Sequence, residues 1–255
     1  MDQICNDLAA EHAALDAVVA NLDEAGWSQD TPAEGWDIKE TIVHLIQADM
    51  AASLAVTDAD GFQEAKTQMM SSGDGGLDFF VSSEGKTGAE VLALWRDERD
   101  KMLDAFRSRG PKDRIPWFGP DMSTLSFATA RLMETWSHGQ DVADTVGAPW
   151  PATDRLQHVC YIGVNTRGWS YINRGMEFPG GDVRVELDAP SGETWTWGPE
   201  DAADRLTGSA EDFCLVTTQR RQPGGTSLVA EGPLAEEWLG IAQAFAGPPT
   251  LPDGR

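Results

Sequence analysis

The sequence predicts an α+β protein: a bundle of four helices in the first 150 residues, then a small mixed domain. Three observations carry that expectation. Apolar residues recur at steps of three and four through long stretches up to about residue 146. After about residue 180 the texture changes to short alternating runs bounded by Gly, Pro, Ser and Asp. A single apolar helical stretch, 233–246, then closes the chain before a Pro/Gly-rich tail. Helices followed by strands with a closing helix suggest an all-α domain joined to an α+β one. The expected boundaries are 1–150 for the bundle, 151–178 for a connecting helix and 179–255 for the C-terminal domain.

The elements follow in order. Segment 3–25 places Ile4, Leu8, His12, Leu15, Val19 and Leu22 on one helical face. The second helix begins at "GWDIKETIVHL", where Asp37 is an N-cap and Glu40, three residues on, completes a capping box. The stretch 60–84, rich in Ser, Gly and Asp around "MMSSGDGGLDFF", reads as irregular in part. A third helix spans Thr87 to Arg109 with Val91, Leu94, Trp95 and Leu103 inward, and a proline-rich loop leads to a fourth over 124–146. Four helices of this length suggest an antiparallel bundle. Segment 153–174 reads as a fifth helix. "DVRVELD" and "GETWTWG" flank "APSG" as a hairpin, and "DFCLVTTQR" and "TSLVAEG" read as two more strands.

Bulk properties narrow the function. Forty-two acidic against 19 basic residues give a net charge of −23, and no Lys/Arg cluster interrupts that excess. Nucleic acid and anionic membranes are therefore poor partners, and a small molecule is the expected one. Cys5, Cys160 and Cys214 are far apart and show no CxxC spacing, so neither a disulfide framework nor a cysteine zinc site is indicated. With no basic n-region and no run of 18 apolar residues, a cytoplasmic location is expected. A homodimer is left open. No dinucleotide, Walker or nucleophile-elbow motif occurs.

The chemistry concentrates on the fourth helix. Arg131, Glu134, His138 and Asp141 fall at i, i+3, i+7 and i+10 and share one face, beside Phe127, Ala128 and Leu132. A solvated charged stripe would explain them. Against that stands His44, set in the apolar run "TIVHLI"; alone it would read as a core histidine satisfied by a partner. Together, His44, Glu134 and His138 offer three ligands from two helices to one divalent metal and leave an open position for water or substrate. One carboxylate–His pair is too few for a dinuclear carboxylate site. His12 faces inward on the first helix as a packing or outer residue, and His158 lies outside the bundle. Trp36, Trp117 and Trp136 are candidates to wall a pocket.

"GWDIKETIVHL" and, about ninety residues later, "ETWSHGQDVADTVG" resemble the mycothiol-dependent maleylpyruvate isomerase branch of the DinB-like four-helix metalloproteins. The resemblance extends through "RLTGSAEDFCLVTTQRR" and "TSLVAEGPLAEEWLGIAQAFAG", which is similar to that family's sterol-carrier-like C-terminal domain. It implies a metal, usually zinc, held by His44, Glu134 and His138, with Asp141 orienting His138 or a neighbour. It also implies an active-site arginine from the C-terminal domain, matched by Arg220 or Arg221 in "TTQRR", although the glycine that usually precedes it is absent. If the two residues end a strand, their side chains point to opposite faces.

The expected function is that of a mononuclear metalloenzyme. It would use a low-molecular-weight thiol such as mycothiol for isomerisation or thiol transfer on a small unsaturated acid. A hydrolase using metal-bound water and a non-catalytic metal- or lipid-binding protein are the alternatives.

Overall fold

The computed structural model describes residues 1–71 and 79–249. The chain divides into two compact units, Met1–Trp150 and Pro151–Arg255.

The first unit contains α1 (Asp2–Val19), α2 (Glu24–Trp27), α3 (Ile38–Thr57), α4 (Ala59–Ser71), α5 (Gly88–Arg107) and α6 (Thr124–Val146). Among the described residues its one sheet is a two-stranded ribbon, β1 (Arg114–Ile115) with β2 (Met122–Ser123). α3 starts where the capping box predicts: Glu40 N donates to Asp37 Oδ1 at 2.7 Å, and Asp37 N donates to Glu40 Oε2 at 3.1 Å. Thr87 and Glu90 repeat the device on α5. Ser123 caps α6, and Gly147 ends it in the left-handed conformation, φ 67°, that glycine adopts without penalty.

α3 packs against α5 and α1 against α6. Their core holds Leu15, Ile38, Ile42, Leu45, Ile46, Val91, Trp95 and Val142, all below about a tenth exposed. Each such side chain contributes roughly 1.5–3 kcal/mol by leaving water. An ion-pair cluster joins α1 to α5 at its edge. Asp16 accepts from Arg96 at 2.6 Å and lies 2.9 Å from Arg99, and Arg99 in turn stacks over Trp95 at 4.5 Å.

The stretch read as partly irregular is α4 up to Ser71, while 72–78 lies outside the described residues. Trp117 stacks on Phe62 at 5.7 Å and meets Phe127 at 4.4 Å. Trp136 is buried.

The second unit contains α7 (Leu156–Asn165), α8 (Arg167–Ile172), α9 (Ala210–Thr217) and α10 (Pro233–Ile241). Its sheet comprises β3 (Val183–Asp188), β4 (Thr194–Trp197), β5 (Asp204–Ser209) and β6 (Val229–Glu231), in the order β4-β3-β5-β6. β3 pairs antiparallel with β4 as the expected hairpin, with Leu187 opposite Trp195, and parallel with β5. Val183, Val185 and Leu187 form its buried face.

Two readings of this unit are corrected. "DFCLVTTQR" is no strand: it is mostly α9, capped by Ser209 onto Asp212 N and burying Ala210, Phe213, Cys214 and Thr217 at helical spacing. Its run of Val216, Thr217 and Thr218 suits strands locally, but the cap and the two acids of the first turn favour a helix. The strand that pairs with β3 is instead "DRLTGS", whose polar composition hides it. The fifth helix is interrupted at Thr166, giving α7 and α8.

α7 lies close on α9. A Cβ added at Gly163 would meet Phe213 at 2.8 Å, and the buried sulfurs of Cys160 and Cys214 are 3.5 Å apart. Asp204 anchors α10 by accepting from Leu234 N at 2.6 Å and Ala235 N at 3.2 Å. Among the described residues, no helix is long and apolar enough to cross a membrane.

Candidate metal centre

α3 and α6 bring His44, Glu134 and His138 together, one nitrogen or oxygen of each lying within 4.8 Å of the others. His44 Nε2 is 3.9 Å and His138 Nε2 3.6 Å from the same atom, Glu134 Oε2. Three donors on a tetrahedral ion, at bonds of about 2.0–2.1 Å, would be about 3.4 Å apart. Closing onto a cation therefore takes a few tenths of an ångström along the two distances to the carboxylate, and up to about 1.4 Å between the two imidazole nitrogens, which lie within 4.8 Å of each other. The donor set, two imidazoles and one carboxylate with no thiolate, suits zinc and neighbouring divalent ions.

The surroundings prepare the donors. Burial pushes the His44 pKa down, against the opposing pull of Glu134, so the imidazole is held neutral. Burial by itself would raise the Glu134 carboxyl, but the His138 and His44 imidazoles beside it outweigh that and hold the group well below its usual range. A neutral imidazole beside an ionised carboxylate is the protonation state that a cation requires. Asp141, one turn beyond His138, places Oδ2 3.3 Å from His138 Nδ1.

Trp36 closes one side. Its ring lies 4.7 Å from that of His44 and 5.8 Å from that of His138, while the two imidazoles meet edge to face at 5.1 Å. Of the three tryptophans considered as pocket walls, this is the one that touches the ligand pair. Gly139 follows His138 because Trp150 occupies the place of a side chain: an added Cβ would overlap Trp150 Cζ2 and stand 2.5 Å from Cη2 and 3.0 Å from Cε2.

His12 is fully buried on α1, its ring edge to face with Trp95 at 5.8 Å, and is outside the donor cluster. His158 sits on α7 in the second unit. Arg220 and Arg221 are also in the second unit and follow a helix, so the alternation argument that sends them to opposite faces does not hold. They leave α9 through Gln219, whose φ of 60° is in the left-handed region that favours glycine. Arg220 N donates back to Leu215 O at 2.7 Å, the wrap of a helix C-terminus.

One residue escaped sequence reasoning. Asp49, buried on α3, accepts from Arg131 Nε at 3.1 Å and Nη2 at 2.9 Å. An acid within the apolar run "HLIQADMAASLAV", five residues after His44, was the available signal.

The fold and site define a helical bundle whose His/Glu/His cluster, drawn from two helices, could hold a metal ion, followed by a small α+β unit. A family model described as the mycothiol maleylpyruvate isomerase N-terminal domain matches residues 8–143, and the chain belongs to that family. A second model, described as wyosine base formation, matches residues 179–231. The chain is 46% identical over 244 residues, 95% of each sequence, to the uncharacterized Mycobacterium tuberculosis proteins MT0041 and Rv0036c, from two strains. Among solved structures, it superimposes on the mycothiol-dependent maleylpyruvate isomerase with a TM-score of 0.60 at 16% identity. A mutant of that enzyme gives 0.59 at 15%. Each alignment covers 92% of this chain and 95% of the other, a likeness of fold across nearly the whole chain.

Proposed function

We propose that this chain is a thiol-dependent isomerase or thiol transferase acting on a small unsaturated acid, with one divalent metal, zinc by preference, held by His44, Glu134 and His138. The convergence of these three donors from α3 and α6 carries the reading, and membership of the mycothiol maleylpyruvate isomerase family supports the thiol. Bound there, the cation would supply Lewis-acid chemistry that lowers the pKa of a low-molecular-weight thiol such as mycothiol.

The chain's own groups do the rest. Glu134 offers an anionic oxygen, and the depressed pKa of His44 keeps its Nε2 lone pair available near neutrality. The Asp141 carboxylate, 3.3 Å from His138 Nδ1, selects the tautomer that carries its proton on Nδ1 and leaves Nε2 free to bind. Trp36 shields both imidazoles from water and limits their rotation. In a chain of net charge −23, an anionic substrate needs a local cation. Arg220 and Arg221 are assigned that task because a guanidinium grips a carboxylate bidentately and stays charged. A cytoplasmic setting, where small thiols stay reduced, suits the scheme.

Elemental analysis of protein purified without added metal tests the centre. One divalent ion per chain is expected, with loss of the ion in a His44→Ala, His138→Ala double variant. Chelation should lower the melting temperature, because a ligand bound only to the native state stabilises it by mass action. Full occupancy in the double variant would refute the ligand set. Equal turnover with and without added thiol would refute the thiol chemistry and favour metal-activated water.

A further inference from the structure

The Asp49–Arg131 pair lies inside the bundle without belonging to the donor cluster. The side chains of Arg131 and Asp49 are 4% and 1% exposed. Removing two charges from water costs several kcal/mol apiece, and a buried pair does not by itself add stability over well-packed apolar residues. What such a pair does provide is a directional constraint, since a guanidinium fork satisfies its partners only over a narrow range of geometry.

The elements it joins give that constraint a purpose. Asp49 is on α3, which carries His44, and Arg131 is on α6, one turn before Glu134 and two before His138. Arg131 Nη2 also donates to Leu45 O at 3.4 Å, the carbonyl of the residue next to His44. One guanidinium is thus tied to α3 at two levels, a side chain and a backbone carbonyl a turn apart. A slip of one residue between the helices would move the donors by about 1.5 Å and turn them by about 100°. A metal–ligand bond tolerates only about 0.2 Å. Apolar contacts between α3 and α6 are less directional and leave small slips cheap.

We infer that the buried Asp49–Arg131 ion pair is a positioning device that sets the register of α3 against α6 and so brings His44 to Glu134 and His138. The inference rests on the metal-site reading. It predicts that the pair matters more for metal affinity than for folding.

The test replaces the pair by apolar residues of similar size, Asp49→Leu with Arg131→Met, and compares metal-free protein in urea with Zn²⁺ affinity measured against a chromophoric chelator. The expected result is an unfolding midpoint close to the parent's and a loss of Zn²⁺ affinity of about tenfold or more, the scale seen when groups supporting metal ligands are removed. An altered Co²⁺ absorption spectrum should accompany it. Asp16→Asn, which breaks an ion pair between α1 and α5, helices without ligands, should lower stability and leave Zn²⁺ affinity unchanged. If the double variant does not fold, Arg131→Lys decides. A single ammonium keeps the charge but cannot reach Asp49 and Leu45 O with the same fork, so affinity should still fall at least about threefold. A folded variant that binds Zn²⁺ within twofold of the parent overturns the positioning role and leaves the metal site standing. A parent that binds no metal overturns both.

Discussion

Gly139→Ala should change sign with its neighbour. An alanine in a helix interior is worth up to about 1 kcal/mol over glycine, so on an open helix face the substitution stabilises. Here the new methyl would lie 2.5 Å from Trp150 Cη2 and 3.0 Å from Cε2. Cζ2 is closer still, and carbon atoms rest at about 3.5–4.0 Å, so the indole or the helix must give by about 1.2–1.7 Å. Overpacking of that size costs about 1–3 kcal/mol. The net effect in the parent is a loss of roughly 0–2 kcal/mol. In a Trp150→Ala background the obstruction is gone, and the same change should gain up to about 1 kcal/mol. A double-mutant cycle by urea unfolding reads the difference as a coupling of about 1–3 kcal/mol. Metal affinity should fall in Gly139→Ala if α6 yields rather than Trp150, because His138 precedes the altered residue. Equal stabilisation in both backgrounds would refute the reasoning, since Trp150 would then not occupy the cradle.

Three further outcomes are expected. Asp16→Asn should cost about 1 kcal/mol at neutral pH. Hydrogen bonding from Arg96 holds the Asp16 pKa below its ordinary value, so its contribution is present above the unfolded-state pKa and is lost as pH falls through the lower, folded one; a difference between variant and parent that persists unchanged well below the carboxylate range would contradict this. At Gln219, glycine relieves the left-handed backbone but gives up the side-chain bond to Ala242 O at 3.2 Å, whereas alanine keeps the strain and loses the bond. Gln219→Gly should therefore be more stable than Gln219→Ala by about 1 kcal/mol in thermal unfolding, and the reverse order would count against the assigned conformation. At least one of Arg220→Ala and Arg221→Ala should remove most thiol-dependent turnover with metal content and folding intact; near-normal rates in both would end the assignment of substrate recognition to this pair.

The bundle was legible because its signals are local. The capping box at Asp37 and Glu40 and the apolar steps of three and four act within a turn or two of sequence. The donor cluster was legible for another reason: a histidine among isoleucines and a Glu–His pair four apart are each costly unless they have a task. Where local propensity and long-range pairing disagree, the reading failed. The β-branched residues of α9 suggested a strand, while "DRLTGS" becomes β5 only because β3 lies alongside it. The strand argument for Arg220 and Arg221 fell with that misreading. Asp49 was missed because its meaning depends on Arg131, 82 residues away, and no spacing rule connects them.

The three cysteines have a use beyond packing. All are buried, and burial pushes the Cys5 thiol up and the Cys214 thiol well up, the latter reinforced by Cys160 at 3.5 Å. Thiolate is the reactive form, so in the native protein Cys5 and Cys214 are poor targets for alkylating reagents and slow to enter mixed disulfides, and burial alone keeps reagents from Cys160. Each becomes reactive only when its surroundings open. Cys5 belongs to the first unit and the Cys160–Cys214 pair to the second. The chain thus carries a separate internal clock in each half, and the order in which a maleimide captures them during slow denaturation records which half opens first.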